Sequence, residues 1–207
     1  NQVDGIISGS HNLGIEDYNR VTAPIIAFDR NLSPEIPVVS SDNYAGGVLA
    51  AETLAKTGAQ NIMMITGNDN SNSPTGLRHA GFASVLPESP IINVSSDFSP
   101  IRKEMEIKQI LTQQKPDAIF ASDDLTAILI MKVAKELELQ IPQDLKVIGY
   151  DGTQFIENYT PELTTIQQPL KDIAILMVDL LLQKIEGKQV ATTGYFLPVS
   201  LHSGKSV

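Results

Sequence analysis

The chain has 207 residues, of which 42% are hydrophobic and none is cysteine, and its formal net charge at pH 7 is −9. This length and hydrophobic content are typical of a globular protein with one large domain or two smaller lobes, and the acidic balance argues against a nucleic-acid interface on these residues, because acidic surfaces repel phosphates. The missing cysteines exclude disulfides, thiol nucleophiles and cysteine metal sites, and the longest apolar run, residues 173–182, is too short to span a membrane.

Strand and helix patterns alternate along the chain. In chain order we predict a strand at 3–9, a short helix near 15–20, strands at 24–29 and 38–42, a helix between Asp42 and Gly58, a strand at 61–67, a helix at 75–86, a strand at 91–96, a helix after Pro100, a strand at 118–122, a helix at 123–139, a strand at 146–152, a loop, an extended segment at 163–168, a helix at 169–187 and a closing strand at 194–202. The alternation indicates parallel sheets with right-handed crossovers, and therefore an α/β fold.

Polar side chains stand where the predicted strands end. Asp29, Ser122 and Asp151 each close a strand, and Arg78 follows the polar loop that leaves another strand. Because open parallel sheets bind ligands outside the carboxyl ends of their strands, we expect these residues to line a pocket. We also expect the partners of the Asp151 carboxylate to be ligand hydroxyls.

The residue types in this set favour a small polyhydroxylated ligand. Carboxylates accept hydrogen bonds from hydroxyls, arginine donates a planar fork, and an aromatic ring such as Phe98 offers a flat apolar face to a sugar ring. Neither a phosphate-binding P-loop nor a dinucleotide-binding GxGxxG pattern occurs, so we predict no cofactor.

Each of these residues also has a simpler structural interpretation. Asp123 and Asp124 precede a helix, so we expect them to cap it. Asp151 stands before Gly152, which indicates a tight turn, whereas Arg78 could be a solvated helix charge and Phe98 a core residue. The sequence alone leaves these alternatives open.

Catalytic patterns are weak in this chain. The histidines His11, His79 and His202 lack metal-ligand spacing, and Ser10 beside His11 lacks the G-x-S-x-G elbow of a nucleophilic serine. We therefore expect no catalytic residue and no metal site. One enzymatic reading stays open, in which Asp29 and Asp151 act as the carboxylate pair of a glycosidase.

An ordered set of motifs resembles a known family. The stretches are "VDGIISG", "PIIAFDRN", "VVSSDNYAGGVLAAETLAKTGAQNIMMITG", "GLRHAGF", "AIFASDDLTA", "VIGYDG", "LTTIQQPL" and "LPVSL". Together they are similar to the effector-binding core of the LacI/GalR family of transcriptional repressors, over nearly the whole chain. "NSNSPTGLRHAGF" and "FASDDLTAILIMK" most resemble members that control sucrose operons in Gram-positive bacteria.

The resemblance implies a periplasmic-binding-protein-like fold of type I, with two lobes of parallel sheet flanked by helices and a ligand cleft between them. It places residues 1–41 and 168–197 in an N-terminal lobe that is incomplete in this chain, and 42–167 and 198–207 in a C-terminal lobe. Family members bind operator DNA through an N-terminal headpiece that these residues do not include, so we expect DNA contact there and not here.

The resemblance also assigns residues and partners. The implied sugar contacts are Asp29, Arg78, Phe98, Ser122, Asp151 and Gln168. The implied protein is a cytoplasmic homodimer that binds a sugar effector and no membrane, and the segment after Asp151 would lie near the dimer interface. The alternatives are an exported, monomeric sugar-binding protein of a transport system and a carbohydrate-cleaving enzyme.

Overall fold

A computed structural model of the chain describes residues 3–9, 15–18, 20–67, 73–192 and 194–207, so Ser10 and His11 lie outside the described residues. The strands are β1 (Ile6–Ser8), β2 (Ile25–Phe28), β3 (Val38–Ser41), β4 (Ile62–Thr66), β5 (Ile91–Asn93), β6 (Ala118–Ala121), β7 (Lys146–Asp151), β8 (Thr164–Gln167), β9 (Tyr195–Leu197) and β10 (Ser200–His202). The helices are α1 (Ile15–Tyr18), α2 (Asn43–Ala55), α3 (Pro74–Val85), α4 (Pro100–Gln113), α5 (Asp124–Glu136), α6 (Gln154–Tyr159) and α7 (Leu170–Ile185). The predicted α/β alternation is confirmed, and no helix in these ranges is long and apolar enough to cross a membrane.

Two segments differ from the sequence prediction. The predicted loop after β7 contains helix α6, whose first turn is capped by Thr153, since the Thr153 hydroxyl accepts the Ile156 N–H at 3.4 Å. The predicted closing strand is two strands, β9 and β10, which belong to different sheets and flank Pro198. Proline lacks an N–H for a sheet ladder, so the change of sheet occurs where pairing is weakest.

The chain divides into two compact units, Asn1–Asp42 with Pro169–Pro198 and Asn43–Gln168 with Val199–Val207. The sheet of the first unit has the parallel order β1-β2-β3-β9. On one face of it, Ile26 and Val39 pack against Ile173 and Leu180 of α7. Burying these branched side chains between helix and sheet supplies the hydrophobic stabilisation of this face.

The sheet of the second unit has six strands in the order β10-β8-β7-β6-β4-β5. Its strands are parallel except the edge strand β10, which runs antiparallel to β8. Helices α2 and α3 supply Leu54 and Phe82 to the core on one face, and α4 and α5 supply Ile107 and Ile130 on the other. Because both faces are covered, β4 and β6 are buried along their whole length and the middle four residues of β7 are buried, as is typical of parallel strands.

Helices α2 and α3 approach each other closely enough to touch through their backbones. A Cβ atom at Gly47 would lie 2.1 Å from the Arg78 carbonyl oxygen, and one at Gly81 would lie 2.1 Å from the Tyr44 carbonyl oxygen. Only glycine fits at such contacts. The glycines in "YAGGV" and "HAGF" therefore fix the position of α3, and with it the position of Arg78.

A buried carboxylate joins the start of α5 to the ends of β7 and β8. The Asp124 side chain accepts the Gly152 N–H at 2.8 Å and the Thr165 hydroxyl at 2.5 Å, and the residue is 2% exposed. Burial raises the pKa of the Asp124 carboxyl from 3.8 to about 6, against the two hydrogen bonds, which lower it. Asp124 therefore has a different role from the predicted helix cap.

We expect Gly81→Ala to lower the free energy of unfolding by at least about 2 kcal/mol, because the added methyl group would collide with backbone that cannot rotate away. Gly67→Ala is the matched control, since the nearest atom to its added Cβ would be the Ser96 Cβ at 3.5 Å. Urea denaturation of both variants measures the difference. Equal stability of the two variants would show that α2 and α3 do not need this contact.

The raised pKa of Asp124 makes stability depend on pH. Between pH 4 and 6 the folded protein holds a proton on Asp124 that the unfolded chain has released, so the free energy of unfolding should fall as pH rises through this range. The shift from 3.8 to about 6 corresponds to a loss on the order of 3 kcal/mol, which is complete above the folded pKa. Asp124→Asn cannot titrate, so urea denaturation between pH 4 and 7 should show this fall in the wild type relative to the variant. If the difference in free energy of unfolding between the wild type and Asp124→Asn does not change with pH, the raised pKa of Asp124 is contradicted.

Candidate ligand-binding site

Arg78 is the central residue of the candidate site in the second unit. It lies on α3, whose start is set by Pro74 and by the Ser73 hydroxyl, which accepts the Gly76 N–H at 3.1 Å. Its guanidinium Nε donates to the Asn43 amide oxygen at 2.8 Å, and its Nη1 donates to the Ser122 carbonyl at 2.6 Å. Arg78 is 6% exposed, so it is not the solvated helix charge that the sequence left open.

The end of β7 completes the surroundings of this guanidinium. Its central carbon lies 3.6 Å from the centroid of the Tyr150 ring, a cation–π contact, and Nη2 lies 3.7 Å from Asp151 Oδ1. The Gln168 side-chain amide donates to the same Asp151 oxygen at 2.7 Å. Asp151 therefore has protein partners, and the expectation that its partners are only ligand hydroxyls was wrong.

The Asp151 side chain is nevertheless the accessible part of this group. Its exposed fraction is 34%, compared with 7% for the Arg78 side chain to which it is paired. The structure thus brings Arg78 and Asp151 together at the carboxyl end of β7, as the strand-end argument predicts, and Gln168, which the family resemblance assigned, contacts Asp151 there. A ligand at this edge would meet a carboxylate acceptor that the buried Arg78 and the partly exposed Gln168 amide hold in place.

Two of the predicted residues have an unusual backbone conformation. Among the described residues, the non-glycine positions with positive φ are Asp29 (58°), Lys115 (49°), Glu138 (60°) and Asp151 (121°). Lys115 and Glu138 follow the ends of α4 and α5, where a left-handed residue is common. Asp29 and Asp151 instead follow or end strands, and such conformations cost about 1–3 kcal/mol and concentrate at functional sites.

Asp29 belongs to the first unit and stands directly after β2. Its carboxylate accepts the Ser40 hydroxyl at 3.0 Å, and its N–H donates to the Val39 carbonyl at 2.9 Å. Both partners lie on β3, so the neighbouring strand fixes the direction of this side chain. No helix starts at Asp29, in agreement with the expectation that it is not a helix cap.

Ser122 and Phe98 differ in how they relate to Arg78. Ser122 contacts it through the backbone carbonyl, while its hydroxyl donates to Asp123 at 3.2 Å. Asp123 accepts the Thr126 N–H at 2.8 Å, which confirms its predicted role as the cap of α5. Phe98 is half-buried, packs against the hydrophobic core and lies 3.6 Å beneath the Arg102 guanidinium, so its contacts are with another part of the unit.

The histidines have structural neighbours. His79 Nε2 lies 3.0 Å from the Thr66 hydroxyl, and His202 Nδ1 lies 3.6 Å from the Glu157 carboxylate. Within the described ranges no group of three histidine, aspartate, glutamate or cysteine side chains could hold a metal ion. The arrangement is suited to hydrogen bonding of a ligand, with acceptors and donors fixed by the protein.

Sequence reasoning missed Asn43, Tyr150 and Asp124. Asn43 and Tyr150 lie in the first turn of a helix and in a buried strand, where the sequence pattern indicates only secondary structure. Asp124 did leave a signal, which is Gly149 in the middle of an otherwise apolar strand. A Cβ at Gly149 would lie 2.3 Å from Asp124 Oδ1, and glycine inside a strand often marks such a close approach.

Comparison with known proteins connects this site to a family. The model of the periplasmic binding protein-like domain family matches residues 51–207. The sucrose operon repressor of Streptococcus mutans serotype c is 64% identical over the whole chain, which spans 64% of that repressor's length.

Two solved structures share the fold. The periplasmic binding protein/LacI transcriptional regulator of Alkaliphilus metalliredigens, complexed with D-xylulofuranose, is 30% identical with a TM-score of 0.86, and the match covers 99% of this chain and 78% of that one. The LacI family transcriptional regulator of Enterococcus faecalis, with bound ribose, is 26% identical with a TM-score of 0.88, over 100% of this chain and 78% of that one. The chain therefore belongs to the periplasmic binding protein-like domain family, and its resemblance to LacI-type transcriptional regulators is confirmed.

Proposed function

We propose that this chain is the sugar-sensing, effector-binding part of a dimeric, cytoplasmic transcriptional repressor. The repressor would control an operon for the use of sucrose or a similar sugar. The single observation that carries the proposal is the group formed by Arg78, Asp151 and Gln168. In this group the buried Arg78 guanidinium and the Gln168 amide hold a partly exposed carboxylate at the carboxyl end of a central strand.

The chemistry of this group fits a neutral sugar. A carboxylate fixed by an arginine and an amide can accept hydrogen bonds from ring hydroxyls, and these charge-assisted bonds are stronger than neutral ones. The relatives support the same ligand class, since one is named for a sucrose operon and the solved regulators hold D-xylulofuranose and ribose. From the family resemblance we add Asp29, Phe98 and Ser122 as further sugar contacts.

The regulatory step follows from thermodynamic linkage between sugar binding and operator binding. A sugar that binds one conformation of the protein more tightly shifts the population toward it, and two headpieces bind an operator only at the correct half-site spacing. Sugar binding would therefore release the repressor from its operator, which contacts parts of the protein beyond these residues. The named repressors among the relatives favour this reading over a sugar-binding protein of a transport system, and over an enzyme.

The dimer in this proposal is supported by an exposed aromatic pair on α6. Phe155 and Tyr159 have exposed fractions of 63% and 74%, and their ring centroids are 4.6 Å apart. Rigid aromatic side chains are enriched in interfaces because they bury a large area at a small entropic cost. The family resemblance assigns the same segment to the contact between two subunits.

Asp151→Asn tests the sugar site. Asparagine can still accept the Gln168 amide but lacks the charge, so we expect sugar affinity to fall by about 10- to 100-fold, the value of one or two charge-assisted hydrogen bonds. Calorimetric titration of the full-length protein with sucrose, fructose and ribose measures the affinity. Asp144→Asn is the matched control, because its carboxylate caps a surface turn by accepting the Gln140 N–H. Equal affinity in Asp151→Asn and wild type would refute the site.

Phe155→Glu tests the dimer. A buried charge in place of the ring should raise the dissociation constant of the dimer at least about tenfold, whereas Phe155→Tyr keeps the stacked pair and should leave it unchanged. Sedimentation equilibrium of the full-length protein measures this constant. Dimers of equal strength in both variants would place the subunit contact elsewhere.

A further inference from the structure

The backbone N–H and the carbonyl of Gly152, the residue directly after β7, each form a hydrogen bond with a side chain from another element. Its N–H donates to Asp124 Oδ2 at 2.8 Å, and its carbonyl accepts the Gln167 side-chain amide at 3.2 Å. Gly152 itself has φ of 57° and follows Asp151 with φ of 121°. The two residues form a turn that an isolated chain would rarely adopt, so the contacts to Gly152 maintain it.

Asp124 can act on this turn because the fold fixes its carboxylate on every side. It lies in the first turn of α5, directly after the cap residue Asp123. The Thr165 hydroxyl on β8 donates to its second oxygen, and Gly149 on β7 leaves the space that the carboxylate occupies. Residues of β7 and β8 thus enclose the Asp124 side chain, and the residue is 2% exposed.

Gly152 in turn cannot move without displacing its neighbours. A Cβ at this position would lie 2.7 Å from both Cα and Cβ of Gln167, so the turn is pressed against β8. The same Gln167 amide also donates to the Glu157 carboxylate on α6. A change in the backbone conformation of Gly152 would therefore alter the direction of the side chain of Asp151, the preceding residue.

We infer that Asp124 is a positioning residue for the ligand site, which holds the Asp151–Gly152 turn by accepting the Gly152 N–H and so directs the Asp151 carboxylate toward the sugar. The inference rests on the proposed function for the identity of the ligand, but the hold on the turn does not depend on it. Asp124 is too deeply buried to touch a sugar, so its effect on affinity passes through Asp151.

The test compares three variants of the full-length protein. Asp124→Ala removes the acceptor, and Asp124→Asn retains it, because the asparagine oxygen can accept the Gly152 N–H while its amide donates to the Thr165 hydroxyl. The matched control is Asp117→Ala, whose carboxylate accepts the N–H groups of Gln60 and Asn61 at 2.8 and 2.9 Å before the start of β6. This control loses a comparable set of hydrogen bonds without touching the turn.

Two measurements are made on each variant. Hydrogen exchange of the Gly152 amide, relative to the Ile148 amide in the preceding strand β7, is followed by NMR without sugar. Affinity for sucrose, fructose and ribose is then measured by calorimetry. In Asp124→Ala we expect the Gly152 amide to exchange at least about tenfold faster relative to the Ile148 amide, because it has lost its acceptor. We expect the sugar affinity to fall about tenfold or more, because the turn no longer holds Asp151 in position. Asp124→Asn should restore both values to within about threefold of wild type, and Asp117→Ala should change neither.

The outcomes separate this inference from the proposed function. Unchanged relative exchange at Gly152 in Asp124→Ala overturns the inference, whether or not a sugar binds. Faster exchange with unchanged sugar affinity also overturns it, because the turn would then not direct Asp151. If the wild type binds none of the three sugars, the proposed function fails, and the exchange result alone decides whether Asp124 holds the turn.

Discussion

A guanidinium group that leaves water must find new hydrogen-bond acceptors, and the second unit is organised around one that has done so. Arginine stays charged in proteins, so burial of Arg78 is compatible with folding only if its fork is matched. Asn43 supplies an amide oxygen, Ser122 a carbonyl and Asp151 a carboxylate, while the Tyr150 ring covers one face. These partners come from different parts of the chain, so satisfying one charge also aligns the elements that carry them.

This constraint makes the site available before any ligand arrives. The acceptors of Arg78 are protein groups, so its geometry does not depend on a bound sugar. The close contact of α2 and α3 at Gly47 and Gly81 fixes the helix that carries the arginine. A ligand that meets groups already in position loses less conformational freedom on binding, which favours affinity.

Much of this arrangement could be predicted from the sequence, and the failures have physical causes. Strands and long helices leave periodic patterns in the sequence. The strand-end rule also predicted that Arg78 and Asp151 lie close together, as they do in the fold. Helix α6 has only six residues, too few for a clear period, and its exposed aromatic side chains resemble those of a loop. The role of Asp124 depends on contacts with β7 and β8, which are formed only in the folded chain. Assignment of the sugar contacts remains a prediction.

The backbone conformations of Asp29 and Asp151 have a consequence for protein engineering. Glycine adopts positive φ at little cost, so a design method that scores backbone conformation alone would replace both aspartates by glycine. Such a change at Asp151 would remove a partner of the buried Arg78 guanidinium and the acceptor of the Gln168 amide. Stabilising designs that draw substitutions from backbone preference would therefore remove the two strand-end carboxylates first, together with the contacts that Asp151 makes to Arg78 and Gln168.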